Sequence, residues 1–235
     1  MMIRKGLLVS AFTLAAMLAL SLWALPHVPA DGRFAVHWNI HGQADRMGSR
    51  AMVLWLMPAL TAALAALFAL WPLIDPRRKN LLRSSLPYLV AWTGVLVVLG
   101  FAHAMMVLNA AGAVHLAGVA TGPALLRALT VLVGAFMAAL GAVMGKMRPN
   151  WFMGVRTPWT LSSDLSWDKT QRLAGWLLMI TGLATMVTAF ALIPRWALVV
   201  LVGGLGVSAP VVIVYSWMVW KSDPARETLT PDEAG

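Results

Sequence analysis

Ala51–Ile74 reads AMVLWLMPALTAALAALFALWPLI and runs straight into Asp75–Asn80, DPRRKN. An uncharged run of this length crosses a bilayer as a helix. About 20 mostly apolar residues cover the hydrocarbon core, and a helix satisfies its own backbone polar groups there. Five further runs have the same character: Gly6–Leu25, Leu86–Leu108, Gly122–Met144, Leu173–Ile193 and Trp196–Trp220. The last is somewhat long, so it is expected to tilt, or to bend at Pro210. The fold class is an all-α polytopic membrane protein with six transmembrane helices.

The basic residues orient the spans. Arg4, Lys5, Arg77, Arg78, Lys79, Arg83, Lys146, Arg148, Arg156, Lys169, Arg172, Lys221 and Arg226 fall on one side. Only Arg33, Arg46, Arg50 and Arg195 fall on the other, and Arg127 lies inside the fourth span. The positive-inside rule then predicts that both termini are cytoplasmic. A net charge of +9 would suggest a nucleic-acid partner in a soluble chain. Here it is the topology signal together with attraction to anionic lipid, and no direct nucleic-acid contact is expected. The basic start and long apolar stretch of the first run read as a retained signal-anchor helix. Zero cysteines exclude disulfides, thiolate metal sites and cysteine nucleophiles.

Eight tryptophans fit an aromatic belt: Trp23, Trp55 and Trp196 at outer span ends, Trp71, Trp92, Trp176, Trp217 and Trp220 at inner ones. Trp38, Trp151, Trp159 and Trp167 lie in loops. The chain divides into a two-helix unit, 1–75, with a long outer loop at 26–50, and a four-helix unit, 76–225, with a long cytoplasmic loop at 145–172. A polar tail at 226–235 is expected to be disordered.

The two long loops are where function is sought. In the outer one, PHVPADGRFAVHWNIHGQADRMGSR, the side chains His37, His41 and Asp45 are spaced four apart and on a helix would line one face. Imidazole and carboxylate are competent ligands for Zn²⁺ or a similar divalent ion. Gly42 and its polar neighbours argue against a continuous helix, and in a turn the spacing loses that meaning. All five histidines, His103 and His115 included, fall in the outer half. In the cytoplasmic loop, GKMRPNWFMGVRTPWTLSSDLSWDKTQR, Pro149, Gly154 and Pro158 break regular structure. Ser162 or Ser163 is a candidate N-cap for a helix in which Asp168 pairs with Arg172. Its mixture of tryptophans and basic residues reads as an interfacial collar on lipid, or as a docking surface for a cytoplasmic partner.

Asn150–Asp164, NWFMGVRTPWTLSSD, followed by Trp167 and Gly175, resembles the signature of the SdpI/YfhL family of bacterial membrane proteins through Gly154, Arg156, Thr157, Pro158, Trp159, Thr160, Leu161 and Ser162. The outer loop resembles the uncharacterised domain that commonly precedes it. The matching positions are Pro26 or Pro29, His37-x-Asn39, Gly42-x-x-Asp45-Arg46, and Pro58 in the next span. The resemblance implies a multi-pass protein of the bacterial cytoplasmic (inner) membrane. It implies immunity to a secreted antimicrobial peptide toxin, with signalling through a cytoplasmic transcriptional repressor as an added role. On that reading Phe34, His37, Trp38, Asn39, Gly42, Asp45 and Arg46 bind toxin, while Asn150, Trp151, Arg156, Thr157, Trp159 and Ser162 face a cytoplasmic partner. No cofactor is expected. The alternatives are a metal-dependent membrane hydrolase built on His37, His41 and Asp45, and a transporter or channel. A coupled carrier usually has ionisable groups within its spans, and only His103 and Arg127 lie there.

Overall fold

The computed structural model describes residues 1–113, 123–192 and 194–226. Six of its helices are long and apolar enough to cross a membrane: α1 (Met2–Ala24), α2 (Arg50–Ile74), α4 (Ser85–Ala110), α5 (Pro123–Met144), α7 (Asp164–Ala191) and α8 (Pro194–Ser222). Two short helices, α3 (Arg78–Arg83) and α6 (Pro158–Leu161), sit in the connections. This is a multi-pass membrane protein. Six crossings leave Met1 and Arg226 on one side, with the connections 75–84 and 145–163; that side is the loop end. The α1–α2 connection lies at the opposite end. His115 and residues 227–235, read above as an outer-loop histidine and most of a disordered tail, lie outside the described residues.

The α1–α2 connection departs from an all-α fold. It forms an antiparallel hairpin of β1 (Arg33–Trp38) and β2 (Ala44–Ser49). Phe34, Val36 and Trp38 alternate along β1, the period of a strand with one covered face. All three pack against Ala24, Val28, Val53, Leu54, Met106 and Val107. Asn39 and Gly42 make the turn. The Gly42 amide donates to the Asn39 carbonyl (2.9 Å), the Asn39 amide donates to the Gln43 carbonyl (2.8 Å), and Gly42 has φ +75°. That is the three-residue hairpin loop closing on a left-handed residue, for which glycine is the natural choice.

The bundle has two halves. Helices α1, α2 and α4 pack on one another; α7 packs extensively on both α5 and α8; α4 and α5 join the halves. Helix α2 carries Pro58 and Pro72 in its interior. A proline has no N–H, so each leaves the carbonyl four residues earlier without its helical donor. In lipid that orphan must be answered by a neighbour. Ser21 of α1 donates its hydroxyl to the Leu54 carbonyl (2.7 Å), and Tyr88 of α4 donates to the Phe68 carbonyl. Two prolines thus dock two different helices. The Ser21 hydrogen being spent on Leu54, the fully buried His103 donates from Nε2 toward Ser21 Oγ and the Met17 carbonyl, both at 3.1 Å. This intramembrane histidine is a cross-strut of the α1–α2–α4 unit.

In the other half, glycines set the approach of α5 to α7. Gly141 lies against Gly175, where an added Cβ would come 2.5 Å from the Gly175 carbonyl oxygen. Seven residues away, Gly134 lies against Gly182, with a corresponding 2.8 Å. Two glycine pairs two turns apart bring the helix backbones into contact, a recurrent device of membrane helices. Gly141 therefore packs a neighbour within the chain.

Trp92 is not part of an aromatic belt. It is fully buried, its indole N–H donates to Ser10 Oγ (3.0 Å), and its ring stacks on Phe68. Trp23, Trp55, Trp176, Trp196 and Trp217 are exposed near span ends, as an indole that prefers the headgroup region should be.

Candidate functional site

At the loop end, residues 145–163 fold into a tightly cross-braced cap. Asn150 is fully buried and uses both ends of its amide: Oδ1 accepts from the Phe152 and Met153 amides (2.9 and 2.8 Å), and Nδ2 donates to the Arg148 carbonyl (2.8 Å). Phe152 then enters an aromatic box of Phe68, Trp71 and Tyr88, with ring centroids 4.9–5.5 Å away. Gln171 of α7 pairs with both backbone groups of Val155, at 2.9 Å each. The chain reaches that pairing through Gly154, at φ +99°, where a Cβ would meet the Gln171 side chain. Thr157 and Thr160 form a reciprocal capping box with Pro158 in the first turn of α6.

The cap is fastened to the bundle on every side. The Asp75 carboxylate accepts from the Arg77 and Trp151 amides, Ser84 Oγ accepts from the Arg148 amide, and Asn80 donates to the Pro149 carbonyl. The Trp167 indole donates to the Met147 carbonyl (2.8 Å), and Ser166 donates to the Ser216 carbonyl (2.8 Å). Ser163 is the N-cap of α7, one of the two serines expected for that role, and it donates its hydroxyl to Asp223 (2.5 Å). That bond and the Ala225 amide hold the Asp223 carboxyl below the usual carboxylate range. Asp168 and Arg172 make the expected pair at 2.9 Å.

Of the residues read as a partner surface, Asn150 and Thr157 are buried and committed to internal bonds. They are corrected to structural positions, because their polar atoms complete backbone groups of the cap. Trp159 and Ser162 are half-buried, and Trp151 and Arg156 are exposed.

The hairpin end is built differently. His37 Nδ1 donates to Asp45 Oδ1 across the hairpin at 2.6 Å, with both side chains well exposed (58% and 42%). The irregular register around His37 and Trp38 brings the two side by side. The bond holds the Asp45 carboxyl below its usual range. Asn39 Oδ1 accepts from the His41 and Gln43 amides, so Asn39 shapes the turn, as Gly42 does. His41 sits in that turn and does not join the pair. Among the described residues no three His, Asp or Glu side chains come together as a metal site.

Beneath the hairpin lies the feature that residue types alone did not reveal. Val36, His37 and Trp38 border an apolar cleft of about 230 Å³, walled by Met57 of α2, Phe101, Ala102, Met105 and Met106 of α4, and Leu125, Leu126 and Leu129 of α5. The sequence signal for it was the alternation Phe34, Val36, Trp38, which gives the hairpin an apolar underside. Phe34 itself packs into the core beside the cleft. Arg46, opposite His37 in register, is exposed.

A family model of the SdpI/YfhL protein family matches residues 146–216, the cap with α7 and much of α8. A second, for DUF1648, a domain of unknown function, matches residues 12–62, from within α1 through the hairpin into α2. No curated protein and no solved structure gives a match. Both stretches that carried the resemblance in the sequence are covered, and the chain carries an SdpI/YfhL family segment behind a DUF1648 segment.

Proposed function

We propose that the protein is a membrane immunity protein that captures an amphipathic peptide toxin at its hairpin end. The supporting observation is the cleft: an apolar recess beside spanning helices, bordered by Trp38 and by the exposed His37–Asp45 pair. A peptide entering the bilayer there would bury one apolar side chain against Met105 and Leu129 and keep its polar face on His37, Asp45 and Arg46. Held in that way it could neither insert further nor assemble, and no covalent chemistry is required. Peptide recognition by an apolar pocket with a few placed polar groups is a general mode. Orientation with the hairpin outside, in a bacterial inner membrane, belongs to the same proposal. So does a role for the exposed Trp151 in meeting a cytoplasmic repressor.

The test is a challenge assay in a sensitive bacterium, read with a potential-sensitive dye against a panel of membrane-depolarising amphipathic peptides. The expected result is protection against at least one peptide, lost in Trp38→Ala and in the cleft-filling Ala102→Phe, and kept in Trp151→Ala. No protection against any peptide, or equal protection by all variants, contradicts the proposal.

A further inference from the structure

A second recess, independent of the peptide site, opens at the loop end of the other half-bundle. Met144 of α5, Leu178 of α7, and Ala209 and Val212 of α8 line an apolar groove of about 380 Å³, and Arg156 and Thr157 of the cap close its end. On its α8 side Leu205 and Ile213 are exposed, so the groove is open along a surface that faces acyl chains. Its cap end lies beside Met144, the last residue of α5, the level at which a span of this length is expected to meet the headgroups.

Arg156 is the chemical signal. Its guanidinium carries five N–H donors, and among the described residues only Nη1 is bonded, to the Trp151 carbonyl at 2.5 Å. Among the described residues the ion pairs are His37–Asp45 and Arg172–Asp168, and none of the described carboxylates pairs with it. It is nonetheless held in place. Val155 on one side is clamped by Gln171 through both backbone groups, and Thr157 on the other is locked in the capping box. A cation held at the mouth of an apolar groove, with no carboxylate against it among the described residues, is complementary to a phosphate with a hydrocarbon tail. Guanidinium suits the phosphate because its donors match the oxygens in pairs. Lys146 and Arg148 in the same cap add to the attraction for negative charge.

We propose that this groove binds one anionic phospholipid from the leaflet at the loop end, its phosphate on Arg156 and an acyl chain along Ala209 and Val212. Because the cap is fastened to α2, α4, α7 and α8, the bound lipid would be a fixed component of the bundle rather than part of the exchanging annulus.

Native mass spectrometry of the full-length protein in detergent tests this, with phosphatidylglycerol and phosphatidylcholine of identical chains as probes. One phosphatidylglycerol is expected to stay bound at collision energies that strip phosphatidylcholine. Arg156→Gln should weaken its retention about tenfold or more, the scale of one lost charge-assisted bond. Arg156→Lys should restore part of it, and Lys169→Gln, an exposed cation at the same end, should change it less than about twofold. Ala209→Trp fills the groove and should abolish it without touching the cation. Equal retention of both lipids, equal effects of Arg156→Gln and Lys169→Gln, or no effect of Ala209→Trp would overturn the assignment. A melting curve for each variant separates lost binding from lost fold.

Discussion

The two ends of this molecule use polar residues in opposite ways. In the cap at the loop end, Asn150, Gln171, Thr157, Thr160 and Ser163 direct their side chains inward and satisfy backbone that would otherwise be orphaned. At the hairpin end, Asn39 and Gly42 build only the turn, while His37, Asp45 and Arg46 remain in the open above an apolar cleft. Both stretches read alike in the sequence, as polar-aromatic loops between spans. The difference teaches that density of signature residues marks where a fold is tied together. A ligand is better sought where polar groups are left over.

That contrast breaks most readily at Asn150. Asn150→Leu strands two amides and one carbonyl in a buried cap, and should cost on the order of 3 kcal/mol or more. Thermal unfolding in detergent reads the loss directly, and His37→Ala beside it should leave the melting temperature nearly unchanged. If the two variants melt alike, the ends do not differ as described.

Gly154→Ala comes next. It adds a Cβ at φ +99° against Gln171, so a destabilisation of about 1–3 kcal/mol is expected, together with faster proteolysis of the cap. Comparable costs, about 1–3 kcal/mol each, are expected for Ser21→Ala and Tyr88→Phe, which unmask the carbonyls freed by Pro58 and Pro72. Combining Ser21→Ala with Pro58→Ala restores the helical donor to Leu54 and should recover part of the loss. If it recovers nothing, the proline-hydroxyl account is wrong.

The smallest expected effect is in acid. The folded-state carboxyls of Asp45 and Asp223 sit below the ordinary value of an aspartate. Each therefore contributes stability that is present above that value and is lost as pH falls through the lower folded-state value. A melting series from pH 6 to pH 3 should decline at its acid end. Asp223→Asn should flatten the part that belongs to the Ser163 bond, while Asp45→Asn, being exposed, should change the curve less.

Much of this architecture was legible beforehand. The six spans follow from hydropathy, which lipid enforces without exceptions of packing. The Ser163 cap and the Asp168–Arg172 pair follow from local spacing, and the structure has both. The hairpin is not legible from the four-residue spacing of His37, His41 and Asp45, because that spacing has meaning only on a helix. His37 and Asp45 do meet, but across a turn, and His41 is left at its tip. Trp92 and Asn150 were misplaced because burial is tertiary: nothing local distinguishes a belt indole from one sealed under Gly6 and bonded to Ser10. The cleft was illegible for the same reason, since its walls come from three separate helices and the hairpin.

Capture in the cleft is tested most directly by site-specific crosslinking. A photoreactive residue would replace Met105 inside the cleft, or Leu183 on the exposed face of α7. The partner is whichever peptide the protein neutralises in the depolarisation assay. A one-to-one adduct is expected from position 105, disappearing in the Trp38→Ala background, with none above the lipid background from position 183. Equal crosslinking from both positions, or an adduct at 183 alone, would contradict it.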